Sequence, residues 1–279
     1  MPLKPFLDAI DERVLVCDGA MGTQLYAKGV FINRCFESLN LTNADLVGGV
    51  HAEYVRAGAD IIETNTFGAN RIKLRAFGLS EKVTDINREG ARIARQAAND
   101  KAYVAGAIGP LGIRVEPWGK TGVDEAEQYF TEQAEALVAG GVDLFVLETF
   151  RDLNEISAAI AAVRRICRLP IVAQMTTEED GNSLDGTPPE QFAPVLLARG
   201  ADVDESTLAA LVWLEQKSPG TFVRHSLAIG FPRHASLDVG DIDADGDIDI
   251  VVGQFSMDKP TGGWVDVWVN GSKTPGVQP

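Results

Sequence analysis

The chain has 279 residues, 45% of them hydrophobic, enough for one large core or two smaller ones. Its formal net charge of −15 and pI of about 4.6 exclude the basic stripe that binding to nucleic acid or an anionic membrane needs. No run approaches the roughly 18 apolar residues of a membrane span. The start MPLKPFLDAIDERVLV lacks the uninterrupted apolar stretch and cleavage site of a signal peptide. Cys17, Cys35 and Cys167 are too few and too scattered for a disulfide framework, which places the expectation in a reducing cytoplasm.

In chain order, the apolar run 14–17 ends in the glycine turn Asp18-Gly19-Ala20-Met21-Gly22, the opening of a βα unit. Asn43 is placed to cap a helix over 45–57. The stretch AGADIIETNTF (57–67) then carries a strand that closes on Glu63 and Thr64. Short and long helices are expected over 70–77 and 83–98, a strand over 102–108 and a helix over 124–139. The same cassette returns as AGGVDLFVLETF (139–150), ending in Glu148 and Thr149. A helix over 154–167, a strand over 170–175 and a helix over 189–198 follow, and the cassette begins a third time at ARGADV (198–203).

Alternating strands and helices predict a parallel sheet with helical crossovers. Polar residues collect where the strands end, at Asp18, Glu63, Asn65, Glu148 and Gln174, as on the active face of a (β/α)8 barrel. The fold expected is therefore a partial (β/α)8 barrel of about five βα units over 1–203. The alternative, a doubly wound sheet, lacks its G-x-G-x-x-G turn, because DGAMGT has the wrong spacing. Asp18 and Glu148 fit a general acid and base pair, a hold on the amino group of a small substrate, or caps of the following helices. Glu63, Asn65 and Thr66 fit structural roles equally well. The turns 19–22 and 109–112 would let backbone approach a ligand, though tight turning alone accounts for their glycines.

From about 208 the rhythm becomes period two. A hairpin is expected over 211–216 and 221–227, then strands over 237–240, 250–255 and 264–269. Asp241, Asp243, Asp245, Asp247 and Asp249 surround Gly246 with the spacing of a calcium loop. An EF-hand would need an acidic residue where Val252 stands and helices on both sides, so that reading fails. Five aspartates in nine residues repel one another without a cation, which favours calcium over a solvated turn.

DGAMGTQL (18–25), NRCFESLNLTNADLV (33–47), GADIIETNTFGAN (58–70), AGAIGPLG (105–112), GGVDLFVLETF (140–150) and VAQMTTEEDG (172–181) resemble the homocysteine S-methyltransferase family. The likeness is greatest to members fused to a methylenetetrahydrofolate reductase, and it covers about 8–203. It implies a barrel enzyme that transfers a methyl group from a folate or methylsulfonium donor to the homocysteine thiol, giving methionine. It also implies that Asp18, Gly19 and Glu148 hold the amino-acid part of homocysteine, and that zinc binds the thiol. The family's three zinc cysteines fall after the point where this chain leaves the pattern, near Asp202-Val203, so the zinc ligands are missing and activity is expected to be lost or impaired. Residues 208–270 resemble an FG-GAP (VCBS-type) β-propeller repeat. The expectation is thus a chimera of barrel (1–203) and β segment (204–279), whose open sheet edges invite self-association. The alternatives are a calcium-binding interaction module and a non-functional gene fusion.

Overall fold

A computed structural model describes residues 3–178 and 181–202 in full, together with the backbone of Val203–Asp204 and of five later strands. Two compact units divide the chain, one of Met1–Thr176 with Ser183–Glu205, the other of Thr177–Asn182 with Ser206–Pro279.

In the first unit the helices are α1 (Phe6–Glu12), α2 (Met21–Ala27), α3 (Leu39–Thr42), α4 (Ala44–Ala57), α5 (Arg71–Arg75), α6 (Val83–Ala98), α7 (Val123–Gly140), α8 (Leu153–Ile166) and α9 (Pro189–Arg199). The strands are β1 (Ile61–Glu63), β2 (Tyr103–Ile108), β3 (Leu144–Phe150), β4 (Ile171–Met175) and β5 (Val203–Asp204). They form one parallel sheet in the order β1-β2-β3-β4-β5. Each strand lies beside its predecessor, with none of the order reversal that makes a doubly wound sheet. Sequential order with a helix at each crossover is the winding of a (β/α) barrel.

The expected first strand over 14–17 is an extended segment docked beside β1. Asp60 and Ile61 donate to Val16 O at 2.7 and 3.1 Å, and Asp18 N donates to Ile61 O at 2.9 Å. Its only ladder bridge is Cys17 with Ile61. At the other end, the third cassette continues into β5, which pairs with Val172 and Ala173. The strand over 171–175 is therefore not an edge, as the count of five units had implied.

Burial explains why these segments read as apolar runs. All six residues of β2 are buried, and so are Leu144–Leu147 in β3. Ile61, Tyr103, Ala105, Leu144 and Val146 pack with Phe6 and Ala9 of α1 in one cluster. The ring of Phe6 meets Tyr103 edge-on at 5.6 Å. Among the described residues, two helix N-termini carry side-chain caps. Asp152 caps α8, accepting from Asn154 and Glu155 N–H groups at 2.8 and 3.2 Å, and Asn70 caps α5. Asn43 stands at the N-cap position of α4 as expected, but its side chain makes no capping bond there; its backbone N–H closes the preceding α3 turn on Leu39 O. His51 is buried inside α4 with neither ring nitrogen partnered, and desolvation lowers its pKa to about 4. It is a neutral packing residue.

A buried polar lattice ties the segment after β1 to its neighbours. Asn40 Nδ2 donates to Asn65 O and Ile86 O at 2.9 and 3.0 Å, and Asn65 Nδ2 donates to Asn40 Oδ1 and Phe36 O at 3.0 and 2.8 Å. Thr66 Oγ1 donates to Ala107 O at 2.8 Å, Ala107 N donates to Thr64 Oγ1 at 3.0 Å, and Gln133 reaches Thr66 O at 2.8 Å. Gly90 on α6 is what lets this lattice close, since a Cβ there would lie 2.5 Å from Asn40 Nδ2 and 2.7 Å from Thr66 Cγ2.

The second unit contains β6 (Ala209–Ser218), β7 (Thr221–Ile229), β8 (His234–Gly240), β9 (Asp249–Gln254) and β10 (Val265–Trp268). β6 and β7 are an antiparallel pair; β8, β9 and β10 form a separate antiparallel sheet with β9 central. The expected hairpin and later strands are therefore present, in two sheets. A propeller blade is a single four-stranded sheet. Asp241, Asp243, Asp245 and Asp247 lie outside the described residues, and Asp249 opens β9. Among the described residues no helix is long and apolar enough to cross a membrane.

Replacing Gly90 by Ala is expected to cost about 1–3 kcal/mol through overpacking of this lattice. Urea unfolding followed by helical circular dichroism checks it.

Candidate active site at the carboxyl ends of the strands

Three carboxylates gather at the carboxyl ends of the strands, from β1, the segment docked beside it, and β3, which is separated from β1 by β2. Asp18 follows the segment docked beside β1, Glu63 ends β1, and Glu148 lies near the end of β3. Asp18 Oδ2 accepts the backbone N–H of Glu63 at 3.1 Å. Neither Asp18 nor Glu148 caps a helix: the α2 cap position is Ala20, and α8 is capped by Asp152. Of the readings left open by the sequence, capping is thereby removed.

The side chains of Glu63 and Glu148 are hydrogen-bonded to each other, which requires a proton between them. Desolvation, then the charges of Glu148 and Asp18, push Glu63 up to about 8. Asp18 is raised to about 7, first by desolvation, against the hydrogen bond it accepts from Glu63 N. Desolvation also raises Glu148, which the Glu63 bond and Lys73 hold down. Removing water from like charges makes each harder to ionise.

The backbone at Glu148 is bent to reach this place. The register of β3 against β4 shifts between Leu147 and Phe150, and Thr149 has φ of 63°. A β-branched residue in the left-handed region is strained, and such strain concentrates at functional sites, where a bulge re-aims a side chain. Phe150 anchors the far side, buried against Phe130 at 5.8 Å between ring centroids.

Around the carboxylates stand residues of two kinds. Thr64, Asn65 and Thr66 are buried in the lattice described above, so the polar ETNT run divides into one site residue and three structural ones. The glycines also separate. Gly109 has no room for a Cβ because the Phe67 ring occupies the space, and a Cβ on Gly19 would lie 2.9 Å from Tyr54 Oη. Gly112 has φ of 82°, the left-handed turn of the loop after β2.

Two residues at this mouth carry no sequence signal. Lys73 of α5 sits with its ammonium 4.3 Å from the centroid of Phe67. Glu155 looks from sequence like a first-turn acid on a helix, yet it is buried, accepts Leu111 N–H at 2.7 Å and is raised by desolvation to about 7. Glu155 lines a cavity of about 430 Å3 with Pro110, Arg114, Trp118, Asp152 and Asp185. The cavity lies between the loops that follow β2, β3 and β4.

The described residues do not fit a thiolate zinc centre. In the metal-free chain Cys17 and Cys35 are held as neutral thiols by their surroundings. Cys17 is pushed up to about 11, by desolvation first and then by Glu63, Asp18 and Asp60. Cys35 is likewise raised to about 11 by desolvation and Glu37, to which its sulfur donates at 3.4 Å. Cys167 stands apart, at the end of α8. Among the described residues no three His, Cys, Asp or Glu side chains are grouped to hold a metal.

A parallel sheet wound in sequential order, with acidic side chains gathered at its carboxyl ends, defines a (β/α)-barrel-type protein with its candidate site at the barrel mouth. Residues 15–210 match the model of the family described as homocysteine S-methyltransferase, and the chain belongs to that family. Methionine synthase of Mycobacterium tuberculosis is 35% identical over 198 residues, covering 65% of this chain and 16% of that protein. The Mycobacterium leprae methionine synthase is 34% identical over the same shares. The chain thus spans about a sixth of the length of these relatives. The metallated form of the homocysteine methyltransferase MmuM from Escherichia coli superposes with a TM-score of 0.64 at 25% identity, covering 71% of this chain and 75% of that one.

The raised carboxylates fix the sign of a pH effect. The folded chain holds these protons more tightly than the unfolded one, so their contribution to stability is full below about pH 4 and is lost as pH rises through about 7 to 8. His51 acts oppositely, losing stability as pH falls from 6.5 towards about 4. With several carboxylates against one histidine, melting of the helical signal is expected at lower temperature at pH 8.5 than at pH 5.5. Glu63→Gln flattens that fall, because glutamine keeps the bond to Glu148 without a titrating proton.

Proposed function

We propose that residues 1–203 bind homocysteine by its amino-acid head group at the Asp18–Glu63–Glu148 mouth, and that methyl transfer by this chain is lost or impaired. The observation that carries the reading is the convergence of three desolvated carboxylates, one aimed by a strained bulge, in a member of a homocysteine S-methyltransferase family. Carboxylates that share a proton only because they lack a cation are well suited to an ammonium group. Asp18 and Glu148 would take the substrate's ammonium, Glu63 would give up the shared proton, and Gly19 would leave its backbone accessible.

In the family reaction a bond forms between the homocysteine sulfur and the methyl carbon. The bond from that carbon to the donor breaks, its electron pair stays with the donor, and the thiol proton leaves to solvent. The 430 Å3 cavity beside Glu155 offers room for a folate or methylsulfonium donor. Zinc would supply a stabilised thiolate to such a reaction, and the described residues offer no ligand set for it. That mismatch supports the impaired reading.

Titration calorimetry with L-homocysteine is expected to show binding that Glu148→Gln weakens by roughly tenfold or more, the loss of one charge-assisted bond. Absence of binding by the wild-type chain overturns the reading. Stoichiometric zinc in purified protein, with methionine formed from either donor, overturns the impairment.

For residues 204–279 we infer a calcium loop over Asp241–Asp249, supported by the aspartate spacing and by Gly240 standing opposite Asp249 in the β8–β9 pair. Calcium is expected to raise the melting temperature of the wild-type chain but not of Asp245→Ala; an equal response from both contradicts the site.

A further inference from the structure

Lys73 is closely positioned, and among the described residues it forms no ion pair. Its backbone N–H donates to Asn70 Oδ1 at 2.9 Å, which fixes the first turn of α5. Its stem crosses two glycines: a Cβ on Gly68 would lie 3.5 Å from Lys73 Cδ, and one on Gly112 would lie 3.4 Å from Lys73 Cε. Its ammonium ends over the Phe67 ring. The side chain therefore runs from α5 past the segment after β1 towards the loop after β2, across the face that carries the carboxylates.

Three carboxylates act on this ammonium through space, those of Glu37, Glu155 and Glu148. Among the described residues none of them forms an ion pair with it. Each is engaged elsewhere: Glu37 Oε1 with Gly68 N–H at 2.8 Å, Glu155 Oε1 with Leu111 N–H, and Glu148 with Glu63. Desolvation lowers the Lys73 pKa accordingly. A half-buried ammonium held among carboxylates but out of their reach carries a desolvation cost that a direct partner would offset. An aromatic face offsets part of it.

We infer that Lys73 receives the α-carboxylate of the amino-acid substrate while Glu148 receives its ammonium, making Lys73 a specificity-determining residue for α-amino acids. This rests on the homocysteine reading given above. An amino acid carries both charges within one head group, so it satisfies at once a cation and an anion that do not pair directly. A simple amine satisfies only the acidic side and leaves Lys73 as it was. Phe67 and the two glycines then have a shared purpose, to hold the ammonium extended and ready for an oxygen.

The test is calorimetric binding by the full chain of L-homocysteine and of 3-aminopropane-1-thiol, which keeps the thiol and the amine but lacks the carboxylate. The wild-type chain is expected to prefer homocysteine by roughly tenfold or more. Lys73→Met should abolish the preference by weakening homocysteine alone, and Lys73→Arg should keep most of it. If Lys73→Met weakens both ligands equally, Lys73 acts only on the carboxylates through space and the assignment is overturned. An unchanged preference in Lys73→Met, or in Lys73→Gln should the methionine variant misfold, overturns it too. These results leave the homocysteine reading standing as long as Glu148→Gln weakens homocysteine. Failure of the wild-type chain to bind either compound removes both.

Discussion

The lattice built on Asn40, Thr64, Asn65 and Thr66 is the constraint from which the candidate site follows. Buried amides and hydroxyls are tolerable only when their bonds are made, and here each finds a backbone group or another member of the set. The lattice joins α3, α6, β2 and the turn after β1 into one rigid piece. Glu63 precedes it directly, Phe67 and Asn70 follow in the turn after it, and Lys73 lies on the short helix α5 that Asn70 caps. With the lattice fixed, these side chains have little choice about where they stand.

The mouth of the barrel has the opposite character. Asp18, Glu63, Glu148 and Glu155 are all held above the ordinary carboxylate range, chiefly because water has been removed from them. Thr149 adds backbone strain, and Lys73 stands near without closing an ion pair to any described residue. Each of these arrangements carries a cost in the free chain, and under the proposed reading a small zwitterion would offset it. The buried lattice beside them holds these groups in place, with Glu63 and Glu148 bonded to each other and Asp18 and Glu155 to backbone N–H groups.

The cassette repeated at 57–67 and 139–150 looks uniform in sequence and is not uniform in space. Its two glutamates come together, but the threonines diverge: Thr64 is buried in the lattice, while Thr149 is exposed with a left-handed backbone. The third copy continues into a strand, as the first two do. Sequence could not separate these outcomes, because the same residue types serve capping, core hydrogen bonding and substrate binding, and only neighbours distant along the chain distinguish them. Lys73 and Glu155 were silent for that reason. A lysine on a short helix and a glutamate in a first turn look like solvent-facing charges until Phe67, Gly112 and Leu111 close over them.

By itself the sequence determined the βα rhythm, the apolar strands and their acidic ends, since periodicity and strand-end chemistry are local properties written in neighbouring residues. It also carried the family motifs in order, and the absence of further cysteines after Cys167. The tertiary structure alone decided that the strands pair in sequential order, that Asp18 and Glu148 are not caps, and that Glu63 joins them while Asn65 and Thr66 do not. Those outcomes depend on desolvation and on contacts between residues tens of positions apart, and neither quantity exists until the chain has folded.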